Sequence, residues 1–220
     1  MANTTLQTIT RLIQALAFSC LAFASLADEA ALYDLAPPGS AFLRIINLQK
    51  SKPDEPITVR IQAKRLTAEV YCSASKFIYL PAGDYNQRVA GLRWKGSLQA
   101  GKGYSLLLAD NNATLLRDYR AENSRRGMLA VYNFSNRSQV SLQTAKSARP
   151  VLSNISQMAA AARPINPLKS AFSVVDSTAT EEVIAQTEAM IFQPGVLSSL
   201  FICNDQSGLF ARWADPAGDD

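Results

Sequence analysis

The chain has 220 residues, 48% of them hydrophobic and 18% charged, with a formal net charge of +4. That hydrophobic content builds real cores and excludes a disordered chain, and the mild, dispersed charge gives no case for nucleic acid. Histidine is absent, which rules out Ser-His-Asp and Cys-His devices and histidine metal sites; the three cysteines cannot make a zinc cluster, so no metal or cofactor is expected.

Residues 1–27 read as a secretory signal. Arg11 is their only charge, an apolar run follows from Leu12 to Ala24, and Ser25-Leu26-Ala27 puts small residues at the two positions a signal peptidase reads. The run is about 13 residues, short of the roughly 20 that span a bilayer, so cleavage after Ala27 is favoured over an anchor. A lipoprotein reading of Cys20 is disfavoured, because Phe18 is bulky where a small residue is wanted. No later segment is long and apolar enough to cross a membrane. The mature chain is therefore expected to begin at Asp28 and to be exported. It keeps Cys72 and Cys203 and a net charge of +3, from 21 basic and 18 acidic groups.

Short strands with turn punctuation follow. Ala41–Asn47 is apolar and branched, Ile57–Ile61 alternates with period two, and Phe77–Leu80 runs into the turn Pro81-Ala82-Gly83-Asp84-Tyr85. Gln87–Val89 resumes the extended pattern, and Tyr104–Leu108 follows the Gly101-Lys102-Gly103 turn. The second half repeats the scheme. Met128–Asn133 matches Phe42–Asn47 at an offset of 86 residues, each ending in an asparagine expected to bond its local backbone. Gln193-Pro194-Gly195 before Leu200–Cys203 matches Gln99-Ala100-Gly101 before Leu106–Leu108 at an offset of 94. Ile155–Ala162 is alanine-rich and stopped by Pro164; it reads as a loop with at most one helical turn.

The pattern predicts an all-β protein of two tandem β-sandwich domains. The expected boundaries are a signal at 1–27, sandwiches at 28–117 and 127–214, a polar linker at 118–126 and a flexible tail at 215–220.

Few residues suggest chemistry. A serine nucleophile would need a lysine base, yet Lys169 and Ser170 are strand neighbours that point to opposite faces, and Lys95-Gly96-Ser97 is no better. Glu181-Glu182 and Asp54-Glu55 lie in polar turns, without the facing geometry glycoside hydrolysis needs. Cys72 and Cys203 fall in different halves. A bridge would need the halves docked with Cα atoms within about 7 Å, so two buried free thiols are expected. Trp94 and Trp213 are candidates for stacking on a sugar ring, against a packing role in core or edge. Arg163-Pro164-Ile165-Asn166-Pro167-Leu168-Lys169 is held extended by its prolines. It reads either as a stiff entry to the strand Ala171–Val175 or as a partner-binding surface carried by Arg163, Ile165 and Asn166.

Several of these segments resemble one family. Ala31-Leu32-Tyr33, then Ala36-Pro37-Pro38-Gly39-Ser40-Ala41-Phe42-Leu43-Arg44-Ile45-Ile46-Asn47, is similar to the start of the alginate O-acetylation accessory (AlgF-like) family. Tyr79-Leu80-Pro81-Ala82-Gly83-Asp84-Tyr85, Leu129–Asn133 and Ile165-Asn166-Pro167-Leu168-Lys169 extend the match in order across nearly the whole mature chain. A longer first loop at Lys50–Glu55 and a polar, distinctive stretch at Thr178–Gln186 depart from it and leave open which polymer is concerned. The resemblance implies a periplasmic protein of two β-sandwiches, required for acetylating an exopolysaccharide of alginate or cellulose type. Its implied partners are periplasmic and membrane-bound acetyltransferase proteins that carry the transfer chemistry. A polysaccharide-binding module and an atypical acetyltransferase or esterase are the competing readings.

Overall fold

The computed structural model describes residues 36–121, 124–178 and 182–214. The signal with Arg11 and Cys20, the tail at 215–220 and parts of the expected linker and of the Thr178–Gln186 stretch lie outside them. The described residues from Pro38 onward form one unit, all strand and turn.

The first half comprises β1 (Ser40–Leu48), β2 (Ile57–Ile61), β3 (Lys64–Ala68), β4 (Ser73–Ala74), β5 (Ile78–Pro81), β6 (Gly83–Val89), β7 (Leu92–Leu98), β8 (Gly103–Ala109) and β9 (Ala113–Asp118). The second comprises β10 (Gly127–Asn133), β11 (Gln139–Thr144), β12 (Pro150–Ser156), β13 (Ala160–Ile165), β14 (Lys169–Ser170), β15 (Phe172–Asp176), β16 (Val183–Gln186), β17 (Met190–Ile191), β18 (Leu197–Asp205) and β19 (Gly208–Trp213).

One sheet in each half has the same topology. β1 lies parallel to β8, β8 pairs antiparallel with β9, and β4 and β5 pair antiparallel with the other edge of β1. In the second half β10 lies parallel to β18, β18 pairs with β19, and β13 takes the other edge of β10. The sequence offsets hold residue by residue. Phe42 lies opposite Gly103 and Asn47 opposite Leu108; 86 and 94 residues on, Met128 lies opposite Leu197 and Asn133 opposite Ile202. Gly101 N–H donates to Ser40 O at 2.7 Å, and Gly195 N–H to Arg126 O at 3.0 Å. Those two glycines adopt φ of 72° and 74°, the left-handed conformation that glycine enters without penalty. The halves are two copies of one plan.

Each repeated sheet is covered on its outer face. In the first half the cover is the hairpins β2–β3 and β6–β7, with β2 beside β6. In the second it is the sheet β12-β11-β15-β16. Leu43, Ile45, Leu106 and Leu108 pack with Val59, Leu66, Trp94 and Leu98 of the hairpins. Leu129, Val131, Leu200 and Ile202 pack with Val140, Leu142, Phe172 and Val174.

The alternate residues of the same central strands are buried as well. Ile46 and Leu107 on one side meet Ala130, Tyr132, Phe134 and Phe201 on the other in a third apolar cluster. Burial on both faces explains why these strands read as continuous apolar runs, the mark of parallel pairing. The repeated sheets thus meet face to face along an apolar seam.

Two expectations are corrected here. Cys72 and Cys203 are bridged rather than free, with Cα atoms 6.3 Å apart. Both lie in the seam cluster, so the docking that a bridge requires is what the seam provides. Ile155–Ala162 is not a loop with a helical turn but the end of β12, a turn at Gln157-Met158 and the start of β13. Ala160 and Ala162 pack on the seam while Ala161 faces the outer core. Packing of alternate, partly buried alanines on both sides of a strand overrides their helix propensity. Pro164 is tolerated because β13 is an edge strand, where a missing N–H breaks no ladder.

Candidate functional site

The seam carries a buried polar cluster at positions that alternation turns away from the outer cores. Arg44 of β1 is 4% exposed, and Ser105 of β8, Asp118 of β9 and Tyr132 of β10 are likewise buried. Arg44 Nε donates to Ser105 Oγ and Asp118 Oδ2, both at 2.9 Å, and Nη2 donates to Tyr132 OH at 2.9 Å. Arg44 Nη2 lies 2.8 Å from Asp118 Oδ2. The hydroxyls of Ser105 and Tyr132 donate to the two carboxylate oxygens of Asp118, and Tyr119 N–H adds a bond at 2.7 Å. The guanidinium also lies 4.7 Å from the Phe77 ring centroid and 5.5 Å from that of Phe201. Burial pushes the Tyr132 phenol far above its ordinary range; Asp118 adds to the rise and Arg44 opposes it.

A buried ion pair repays its desolvation only when extra hydrogen bonds satisfy its remaining lone pairs. Here they do, and the partners come from both halves: Arg44, Ser105 and Asp118 from the first, Tyr132 from the second. The cluster therefore fixes how the halves sit on each other. Asp118 was expected to open the linker. It is instead the last residue of β9 and is held in this cluster.

Beside the cluster lies a cleft of about 300 Å³, walled by Phe42, Phe77, Tyr119, Arg120 and Ser199 with Arg44 at its base. Arg120 stacks 3.7 Å from the Phe42 ring centroid, and Tyr119 OH donates to Ala160 O at 3.0 Å. Ser105 beside Asp118 sets a hydroxyl against a carboxylate next to this cleft. It is 0% exposed and its hydroxyl is already engaged on both sides, so the arrangement holds a seam rather than presents a nucleophile.

The residues expected from sequence fall elsewhere. Trp94 does not offer a face to sugar: it is 1% exposed, in the first core, with Tyr85 stacked on it at 5.5 Å. Inward alternation of β7 buries it. Trp213 is half-buried at the edge of the second core, edge-on to Phe172 and Phe192, with its indole N–H donating to Glu188 O at 3.3 Å. Arg163 and Asn166 are exposed, and Ile165 is half-buried against the second core. Arg163 Nη1 donates to Val151 O at 2.9 Å, which ties the segment to β12. Lys95 and Ser97 share the exposed face of β7, and Glu55 pairs with Lys52 at 2.6 Å on the surface. Sequence reasoning passed over Arg44 and Asp118. The available signal was one arginine inside the apolar run Ala41–Asn47, whose 4% exposure demands a buried partner.

A family model described as alginate O-acetyl transferase AlgF matches residues 15–195. An alginate biosynthesis protein AlgF from Azotobacter vinelandii is 28% identical over 192 residues, covering 86% of this chain and 85% of the relative. Its namesake from Pseudomonas aeruginosa is 27% identical over 208 residues, covering 94% and 93%. A solved structure of the C-terminal domain of AlgF from P. aeruginosa is similar over 41% of this chain and 97% of that domain, at 20% identity and a TM-score of 0.36.

Proposed function

The chain belongs to the AlgF family, and we propose that it is a periplasmic, non-catalytic accessory protein required for O-acetylation of an alginate-type exopolysaccharide. On this reading it works beside acetyltransferase proteins of the same pathway and holds them in place. The observation that carries the accessory role is the seam cluster. Ser105 on Asp118 is buried and spent on joining the two halves. The exposed serines set against carboxylates, Ser51 on Asp110 and Ser207 on Asp205, face acids whose serine hydrogen bonds hold them below the ordinary carboxylate range, poor bases for activating a hydroxyl. Acyl transfer needs an activated nucleophile within reach of substrate, and the chain has no histidine to activate one. The word transferase in the family description then refers to the process rather than to chemistry in this chain.

One surface for partners is the strip at Arg163, Ile165 and Asn166, exposed at Arg163 and Asn166 and half-buried at Ile165, which its prolines hold extended and so cheap to dock. Loss of the gene should abolish polymer acetylation while synthesis of the polymer continues. Arg163→Glu with Asn166→Ala should lower acetylation and leave the isolated fold intact; normal acetylation would remove this strip from the reading. Acetyl transfer from a simple ester by the purified protein would overturn the accessory role itself.

A further inference from the structure

We propose that the outward face of the β3–β2–β6–β7 layer docks an acidic patch on a folded protein partner. The proposal rests on the accessory reading and names a surface for it on the first half.

Alternation decides what this face carries. Val59, Leu66, Val89, Trp94 and Leu98 point inward. Arg60, Arg65, Arg88, Arg93 and Lys95 point outward and are exposed. Strand register then places like charges together: Arg60 lies directly opposite Arg65, and Arg88 directly opposite Arg93. Directly opposed like charges destabilise a hairpin, yet both hairpins repeat the arrangement. Among the described residues none of the five forms an ion pair. Asp84 is the single acid on the outward side of these strands, and it lies opposite Ser97. β2 runs beside β6, so the two arginine pairs belong to one continuous face that lacks its counter-charge.

The features favour a protein over a polymer as the source of that charge. Four of the five cations are arginine, whose planar fork grips a carboxylate through two bonds and which is enriched at protein interfaces where lysine is depleted. The outward positions hold no aromatic ring on which a sugar could stack, since Tyr85 and Trp94 both lie on the inward side. The face is an open sheet surface, the form that meets another folded surface.

The test uses Arg65→Glu with Arg93→Glu. Each change sets a carboxylate against the remaining arginine, so the same substitutions that spoil the docking face relieve its repulsion. The unfolding midpoint of the variant should rise by about 2–4 °C. The periplasmic proteins encoded with this chain, purified one by one and immobilised, are the probes. At least one should bind the wild-type protein, more weakly as salt rises, and bind the variant at least tenfold more weakly. Equal binding of the variant would overturn this face and leave the accessory reading standing. Capture of soluble polyuronate by the wild type, lost in the variant, would overturn it in favour of a polymer site. Failure of every probe to bind the wild type would take the accessory reading down with it. A lowered midpoint would show that the arginine pairs do not repel and would remove the argument for a missing counter-charge.

Discussion

Asn47 and Asn133 occupy the same position in two copies of one turn. Each is fully buried at the end of a central strand. Each side-chain oxygen accepts the N–H two residues on, from Gln49 at 2.9 Å and from Ser135 at 3.2 Å. Each backbone carbonyl accepts an N–H at 2.7 Å from a residue with left-handed φ, Cys72 at 62° and Met158 at 57°. Those two residues are again 86 apart. The side chains differ in what else they hold. Asn133 Nδ2 donates to Arg137 O and Ile155 O, both at 3.0 Å, and its oxygen also accepts from Ser135 Oγ at 2.6 Å. Asn47 Nδ2 makes one longer bond, 3.3 Å, to Glu55 O. Replacement by alanine leaves buried backbone groups unpaired in both places. Asn133→Ala should cost about 2–4 kcal/mol and Asn47→Ala about 1–2 kcal/mol, read from denaturant midpoints. Equal costs would mean that the extra bonds of Asn133 add nothing.

The repeat was legible in sequence because short-range chemistry writes it: an asparagine closing an apolar strand, and a glycine two residues after a glutamine opening the next. The seam was not, because its determinants lie far apart in the chain. Arg44 meets Asp118 and Tyr132 only after two sheets have folded and docked. The same holds for Cys72 and Cys203, separated by 131 residues, whose burial alone is equally compatible with free thiols. Trp94 and Lys95 were both available as surface residues until register settled which of the two points inward. Which residues of β13 reach the second core is likewise a matter of pairing with β10, not of the proline pattern.

The disulfide closes a long loop across the seam, and the chain-entropy account gives it on the order of 4–5 kcal/mol. Cys72→Ala with Cys203→Ala should lower stability by up to about that amount. Proteolysis gives an independent view. We propose the stretch 119–126 as the connection between the halves, and Arg125 and Arg126 are exposed. A tryptic cut there should yield one band without reductant and two with it. Two bands without reductant would show that no bridge forms.

Alkaline pH should loosen the seam through its tyrosines. Burial raises the Tyr71 phenol from 10.0 to about 12, with its hydroxyl donating to Asn204 O at 3.0 Å, and it raises Tyr132 further still. A raised pKa means that the folded state holds the proton more tightly than the unfolded chain. The stability it brings is complete below about pH 10 and is lost as pH climbs through about 12. The unfolding midpoint should therefore be level through pH 8–10 and fall above that range. Tyr71→Phe should reduce the fall without abolishing it, because Tyr132 still titrates. A midpoint already falling below pH 9 would point to another group.

The seam pair offers the sharpest mutational test, because its sign depends on how many partners are removed. Arg44→Met leaves Asp118 as a buried carboxylate with two hydroxyl donors and no cation. Asp118→Leu leaves a buried guanidinium with only neutral acceptors. Each single change should cost about 3–5 kcal/mol, since an uncompensated buried charge is the most expensive residue of a broken pair. The double change removes both charges and fills the space with apolar atoms. It should recover most of the loss, leaving a cost of about 1–2 kcal/mol and so a coupling energy of about 4 kcal/mol or more in a denaturant-unfolding cycle. Ser105 and Tyr132 lose their shared acceptor in the double variant, so recovery should stop short of the wild type. If the pair also serves to orient the two halves, cells carrying the recovered variant should still show lowered polymer acetylation, despite its restored fold. Additive single costs would show that Arg44 and Asp118 act independently, and would remove the seam cluster as the device that sets one half against the other.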